Sequence, residues 1–317
     1  MSKILVTGAT GFVGKRLIPA LVSEGHEVRC AVSRKVDWLN VEQVVVNKLE
    51  CEPDWNEALN GIDVVIHMAA KVHVMKEQSE GCDDYHTINS LATQNLANQA
   101  AKHHVKRFVF LSSIKVNGEL TLNGQPFTEE SRAQPEDPYG QSKLSAEQYL
   151  HEISQNTGME YVVIRPPLVY GPGVKANFLK MLGLVKKGLP LPFGRVKNKR
   201  NLVYIDNLVS ALSTVAVHPA AANQTYLVAD DEALSLAQLL RAIAGEMNVT
   251  LWLISIPVRF MEYSLRLLGL KKLNTRLLSS LEVNNNKIKS QLDWTPPVSS
   301  IEGLRETVRW YQREFNS

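Results

Sequence analysis

ILVTGATGFVG, residues 4 to 14, places a short apolar run ahead of three glycines, Gly8, Gly11 and Gly14, and a helical apolar periodicity then runs from Phe12 to Glu24. The order predicts strand, tight turn, helix. Glycines serve such a turn by reversing the chain sharply, letting backbone approach a ligand closely, and letting the helix pack near the strand. The helix N-terminus then offers N–H groups and a partial positive charge to phosphate. Working outward, strands over Glu27 to Val32, Val44 to Val46, Asp63 to Met68, Arg107 to Ser112 and Tyr161 to Arg165 alternate with helices over Trp55 to Leu59, Asn89 to His103 and Tyr139 to Gln155. This predicts an α/β fold, a doubly wound parallel sheet covered on both faces.

From Pro166 the rhythm changes to loops rich in Pro and Gly. The expected division is a dinucleotide-binding domain over 1–167, rejoined by about 201–230, and a smaller C-terminal α/β substrate lobe from 168–200 and 231–317. Asn201 to Val217 reads as a strand and helix that return to the first sheet. An amphipathic stretch over Pro257 to Leu273 is expected to pack on its own core, with contact to a membrane surface as the weaker reading.

With 317 residues, 44% hydrophobic and 21% charged, the chain is an ordinary globular one. A net charge of +3 with dispersed basic residues gives no footprint for nucleic acid, and none is expected as a partner. Cys30, Cys51 and Cys82 show no CxxC spacing, and no metal site is expected. Three free thiols and an N-terminus that runs directly into a strand point to the cytoplasm. No apolar run is long enough for stable membrane insertion.

Three further segments carry chemistry. The second strand ends in Val32-Ser33-Arg34-Lys35, and no acid follows until Asp37, where an NAD enzyme usually presents Asp or Glu to the adenosine ribose. Arg34 suits the extra 2′-phosphate of NADP(H), which is favoured over NAD(H); a solvated surface arginine is the plainer reading. Asp137-Pro138-Tyr139-Gly140-Gln141-Ser142-Lys143 holds a YxxxK pair. Asp137 is placed to cap a helix and Pro138 fits its first turn, so Tyr139 and Lys143 share one face. A tyrosine is a poor base near neutrality, and a nearby ammonium would stabilise its phenolate. Phe110-Leu111-Ser112-Ser113 ends the strand before that helix, where ligands bind in open α/β sheets, so Ser113 is placed to share a proton with Tyr139.

Taken together, TGxxGxxG, DVVIHMAA, the serine pair and PYxxSK resemble the extended short-chain dehydrogenases, the family of nucleotide-sugar epimerases, dehydratases and reductases, and the resemblance covers nearly the whole chain. It implies a Rossmann-like fold and a catalytic Ser113, Tyr139 and Lys143, with Lys143 also on the nicotinamide ribose. It further implies cofactor contacts from Gly8, Thr10, Gly11, Phe12, Val13, Gly14, Arg34, Leu49, Ala69, Ala70, Asn89, Ser112, Tyr139, Lys143 and Pro166. For Asn89 a helix cap is an equal reading. A UDP-sugar is the implied substrate, held by Ser113, Lys115, Asn177, Phe178, Phe193, Arg200 and Arg276. Phe193 of Pro192-Phe193-Gly194 would stack on the base, and Arg200 would pair with the diphosphate. A homodimer through helices 89–103 and 139–155 is also implied.

The sequence departs from the pattern at Lys48-Leu49, at Asn117 and at Leu168. SSIKVNGE, HMAAKVHVM and LDWTPPVSSIEGLR are similar to a bacterial subgroup containing both UDP-sugar 4-epimerases and UDP-4-keto-6-deoxy-hexosamine 4-reductases, which serve surface polysaccharide synthesis. Missing ribose acid and an apolar Pro166-Pro167-Leu168 wall favour the 4-keto reductase over the 4-epimerase. A dihydroflavonol- or steroid-like reductase and a non-catalytic NADP sensor are the more distant alternatives.

Overall fold

A computed structural model describes residues 1–46, 53–71, 85–122 and 124–315, the side chains of residues 271 and 272 excepted. Chain order begins β1 (Lys3–Thr7), α1 (Gly14–Ser23), β2 (Glu27–Val32), β3 (Glu42–Val45), α2 (Asn56–Leu59) and β4 (Val64–His67). After a π-helical turn over Thr87–Leu91 come α3 (Ala92–Lys102), β5 (Arg107–Leu111), α4 (Pro138–Thr157) and β6 (Glu160–Arg165). The strands line up as β3-β2-β1-β4-β5-β6, all parallel, so the order reverses between β1 and β4. In open sheets of this order the ligand crevice lies at that switch point, above the carboxyl ends of the strands.

Both sheet faces are covered, as near-continuous apolar strands such as Val64–His67 require. Leu17, Ile18 and Leu21 of α1 pack on one face, and Leu96, Ala97 and Ala100 of α3 pack on the other with Ala146 and Leu150 of α4. Beyond β6 lie β7 (Leu168–Tyr170), α5 (Ala176–Lys186), β8 (Leu202–Tyr204), α6 (Ile205–Val217) and β9 (Gln224–Leu227). The segment 201–217, expected to return to the first sheet, divides between two places. Strand β8 pairs with β7 in a separate two-stranded sheet, whereas α6 packs with α1 and β9 adds a seventh parallel strand beside β6.

The C-terminal part comprises α7 (Leu236–Met247), α8 (Val258–Leu267), α9 (Lys271–Leu278), α10 (Asn286–Leu292) and α11 (Ser300–Phe315). Helices α5, α7 and α11 build their own core with Tyr170 and Tyr204 of the small sheet. Helix α10 corrects the expected division: Ile288 and Leu292, with Trp294, join the α1–α6 face of the large sheet, and Trp294 Nε1 donates to Ser210 Oγ at 3.1 Å. Buried Asp230 ties the two sheets together, accepting from Tyr170 Oη at 2.9 Å, Tyr204 N at 3.0 Å and Asn207 Nδ2 at 2.7 Å. Among the described residues no helix is long and apolar enough to cross a membrane.

Candidate active site

The glycine turn sits at the switch point. Gly8 has a φ of +75°, and a Cβ there would lie 2.9 Å from Ala69 N, so the turn and the β4 end touch through backbone alone. A Cβ on Gly14 would meet Gly8 O at 2.4 Å, which is the close helix–strand packing the sequence predicts. No side chain caps α1, and the N–H groups of Lys15 and Arg16 bond back to Gly11 O at 3.1 Å and Val13 O at 3.0 Å, which holds the turn tight at the positive end of the helix. A turn with no room for a Cβ at Gly8, Gly11 or Gly14, at a helix start beside the crevice, fits a dinucleotide pyrophosphate. Phe12 reaches across to the second lobe, 3.7 Å from where a Cβ on Gly173 would sit.

Thr7 fixes the crevice's other wall, its Oγ1 accepting from Met68 N at 3.3 Å and Ala69 N at 3.2 Å while bonded to His67 Nδ1 at 2.7 Å. His67 Nε2 meets Thr93 Oγ1 at 3.0 Å, and Thr93 donates onward to Asn89 O at 2.8 Å. That order assigns the proton to Nε2. Burial first, and the Lys143 charge second, push the His67 pKa down to about 3, so the imidazole is a neutral strut. Sequence reasoning passed over His67, although a histidine inside a wholly apolar strand was the available signal.

Asn89 is not a cap. It lies within the π-helical turn, where its Oδ1 accepts from Lys71 N at 2.8 Å and its Nδ2 donates to Lys71 O at 3.1 Å and Ser142 Oγ at 3.1 Å. Its side chain therefore shapes the crevice by holding the chain just after Ala69 and Ala70. Arg34 is exposed at the carboxyl end of β2. Leu49 lies outside the described residues. Pro166 is buried, and its carbonyl accepts from Ile114 N at 2.9 Å, fixing the turn that carries Ser113.

Asp137 caps α4 by accepting from Gly140 N at 2.7 Å, and Tyr139 and Lys143 project from the next turns as predicted. Lys143 is buried, donates to Leu111 O at 2.8 Å, and stands 4.4 Å over the Phe110 ring and 5.9 Å from the Tyr139 ring centre. Burial pushes its pKa down to about 7, with the Glu147 carboxylate opposing. Burial pushes the Tyr139 phenol up, and the Asp137 charge and Tyr85 add to it. In the protein alone Tyr139 is thus a neutral phenol, and a phenolate requires added positive charge in the crevice. Ser113 accepts from Lys115 N at 3.3 Å. Ser112 turns away: its hydroxyl donates to Glu147, which is paired with Arg165 behind the site, so Ser112 offers the crevice only its backbone.

The substrate-side residues divide. Lys115 pairs with Asp137 and, at 3.1 Å, with Glu119. Arg276, exposed on α9, lies within electrostatic reach of Asp137 and Arg200. Arg200 itself donates to Ser279 O at 3.0 Å and Thr275 O at 3.4 Å, and burial pushes its pKa below the ordinary arginine range. Phe193 is partly buried between the second-lobe core and the underside of α8. Asn177 is exposed on the first turn of α5. Phe178 corrects the expectation: its ring is buried in the second core, stacked on Tyr170 at 5.4 Å, and is closed to a ligand.

Residues 4–229 match the NAD dependent epimerase/dehydratase family. The chain belongs to that family. It is 41% identical over 316 residues, 99% of this chain and 96% of the relative, to a UDP-glucose 4-epimerase of Vibrio cholerae. A more distant relative, 25% identical over 97% of this chain and 94% of its own length, is the N-acetyl-alpha-D-glucosaminyl-diphospho-ditrans,octacis-undecaprenol 4-epimerase of Escherichia coli O157:H7. Among solved structures, the UDP-glucose 4-epimerase of Thermotoga maritima with UDP-glucose superposes with a TM-score of 0.79 at 25% identity, covering 98% of this chain and 99% of that one.

Proposed function

We propose that this family member interconverts the C4 epimers of a UDP-hexose or UDP-N-acetylhexosamine. The 41% identity to a UDP-glucose 4-epimerase over nearly the full length of both chains carries the reading. It reverses the preference for a 4-keto reductase drawn from Leu168 and the missing ribose acid, because that preference rested on single positions.

Tyr139 takes the C4 hydroxyl proton and later returns it, and Ser113, two residues beyond β5, hydrogen-bonds the same oxygen. Lys143 on the next turn of α4 supplies the ammonium that steadies the phenolate. A bound nicotinamide dinucleotide supplies the two-electron acceptor and donor at C4. Epimerisation also requires the sugar to present its other face, so the firm hold belongs on the diphosphate and base, through Arg200, Arg276, Asn177 and Phe193. The gap between the Tyr139 ring and Lys143 suits a site completed by its ligands.

A second reading, NADPH-dependent reduction of a UDP-4-keto-6-deoxy-hexosamine, is favoured by exposed Arg34 and Lys35 at the end of β2. The experiment supplies UDP-glucose and UDP-N-acetylglucosamine without added cofactor and, separately, the 4-keto sugar with NADPH. Interconversion of the first pair without cofactor consumption is expected. Stoichiometric NADPH oxidation with no epimer formed would replace this reading by the second. In either case we expect a homodimer through α3 and α4, measured by sedimentation.

A further inference from the structure

Helix α8 has two apolar faces, and only one is used. Val258, Met261 and Leu265 point inward onto Val196, Leu278 and Phe193. Phe260, Tyr263 and Leu267, at i, i+3 and i+7, share the opposite stripe and are 63%, 67% and 76% exposed. Leu268, Leu270 and Leu273, which follow the helix in the chain, are exposed as well. Trp252, 66% exposed, and Ile254 belong to the segment that leads into α8, which bonds back to Leu191 through Leu191 N to Trp252 O and Ile254 N to Leu191 O, both at 2.8 Å. Scattered apolar residues are ordinary on a surface, but a run of Trp, Phe, Tyr and Leu on one helix and its approach marks an interaction site.

Charge selects the occupant. On α8 itself the exposed Arg259 and Arg266 stand against the single acid Glu262, and the sequence runs on into Lys271 and Lys272. We propose that this face docks on an anionic lipid bilayer, lying in its interface without crossing it. Phe, Tyr and Leu along one stripe of a helix that also exposes Arg259 and Arg266 is the pattern of an interfacial helix, the aromatics sitting at headgroup level. A second copy of this chain fits poorly, because a two-fold contact would set this basic face against itself. Spanning is excluded by length: the 10 residues of α8 extend about 15 Å, half a hydrocarbon core. The inner side of the same helix pair covers Phe193 and holds Arg200 through Thr275 and Ser279, so docking sets the substrate lobe at the lipid surface.

The test is co-sedimentation of the full chain with vesicles of phosphatidylglycerol and phosphatidylcholine, and with phosphatidylcholine alone. Binding to the anionic vesicles is expected, weakening at high salt, with little binding to the neutral ones. Phe260→Ser combined with Leu267→Ser should weaken vesicle binding at least about tenfold while sugar turnover and Tm stay at parental values. Should that pair fail to fold, Trp252 gives a second readout: vesicles should blue-shift the emission of the parent, and Trp252→Phe should remove that shift. The proposal is overturned by absence of vesicle binding at low salt, by equal binding of parent and double variant, or by lipid-free self-association that the double variant abolishes.

Discussion

Tyr139 and Arg200 were both expected to face the substrate, yet the fold holds them in different ways. Tyr139 rides a 20-residue helix whose start is fixed by Asp137, whose face is packed on the sheet, and whose Lys143 donates to Leu111 O at the end of the neighbouring strand. Arg200 sits between elements and is placed by carbonyls of residues 275 and 279, some 75 positions later in the chain. The residues proposed for the chemistry are thus set by local, periodic structure. Those proposed for recognition are set by long-range contacts on a lobe of short elements.

That contrast predicts effects of different size and kind. The largest belongs to Tyr139→Phe, which should lower kcat by at least about a hundredfold with dinucleotide affinity intact, since only the proton carrier is removed. Steady-state kinetics beside a cofactor titration checks it, and near-normal turnover would break the contrast at its stronger end.

What was legible follows the same line. The glycine turn, the individual strands and the YxxxK helix were readable because each is encoded within about 20 consecutive residues, and the structure returns them with ends shifted by at most three positions. Phe178 was misread because a motif match ignores which side of a helix faces the core; the stack on Tyr170 is visible only once β7 and α5 meet. Asn89 and Ser112 were assigned to the cofactor for their position, whereas their side chains are taken up by Lys71, Ser142 and Glu147. The return of α10 to the large sheet has no local signal, because Ile288, Leu292 and Trp294 would pack equally well on either lobe.

Lys143 gives an effect of intermediate size with a defined sign. Its pKa falls from the ordinary 10.5 to about 7 through burial, so the unfolded chain binds the extra proton between those values and native stability rises with pH across that window. The cost of burying the ammonium is present in full below about pH 7 and fades toward 10.5. Lys143→Met should therefore lower turnover by less than Tyr139→Phe does yet raise Tm most at pH 6, with the gain shrinking as pH rises, in a series of thermal melts.

Arg200→Ala should give the smallest change in turnover. It should instead cut the rise in Tm that UDP confers on the folded state and raise KM more than it lowers kcat. A loss confined to kcat would move Arg200 among the residues proposed for the chemistry and blur the distinction.

The most direct test of the account follows deuterium placed at C4 of the UDP-hexose through a single round of epimerisation with a large excess of unlabelled free dinucleotide present. A site in which Ser113, Tyr139 and Lys143 work beside a cofactor held on the glycine cradle returns the same hydrogen to the same carbon, so the epimer should keep its C4 label. Loss of the label to the free dinucleotide pool would contradict that account and identify a reductase that releases its cofactor at every turnover.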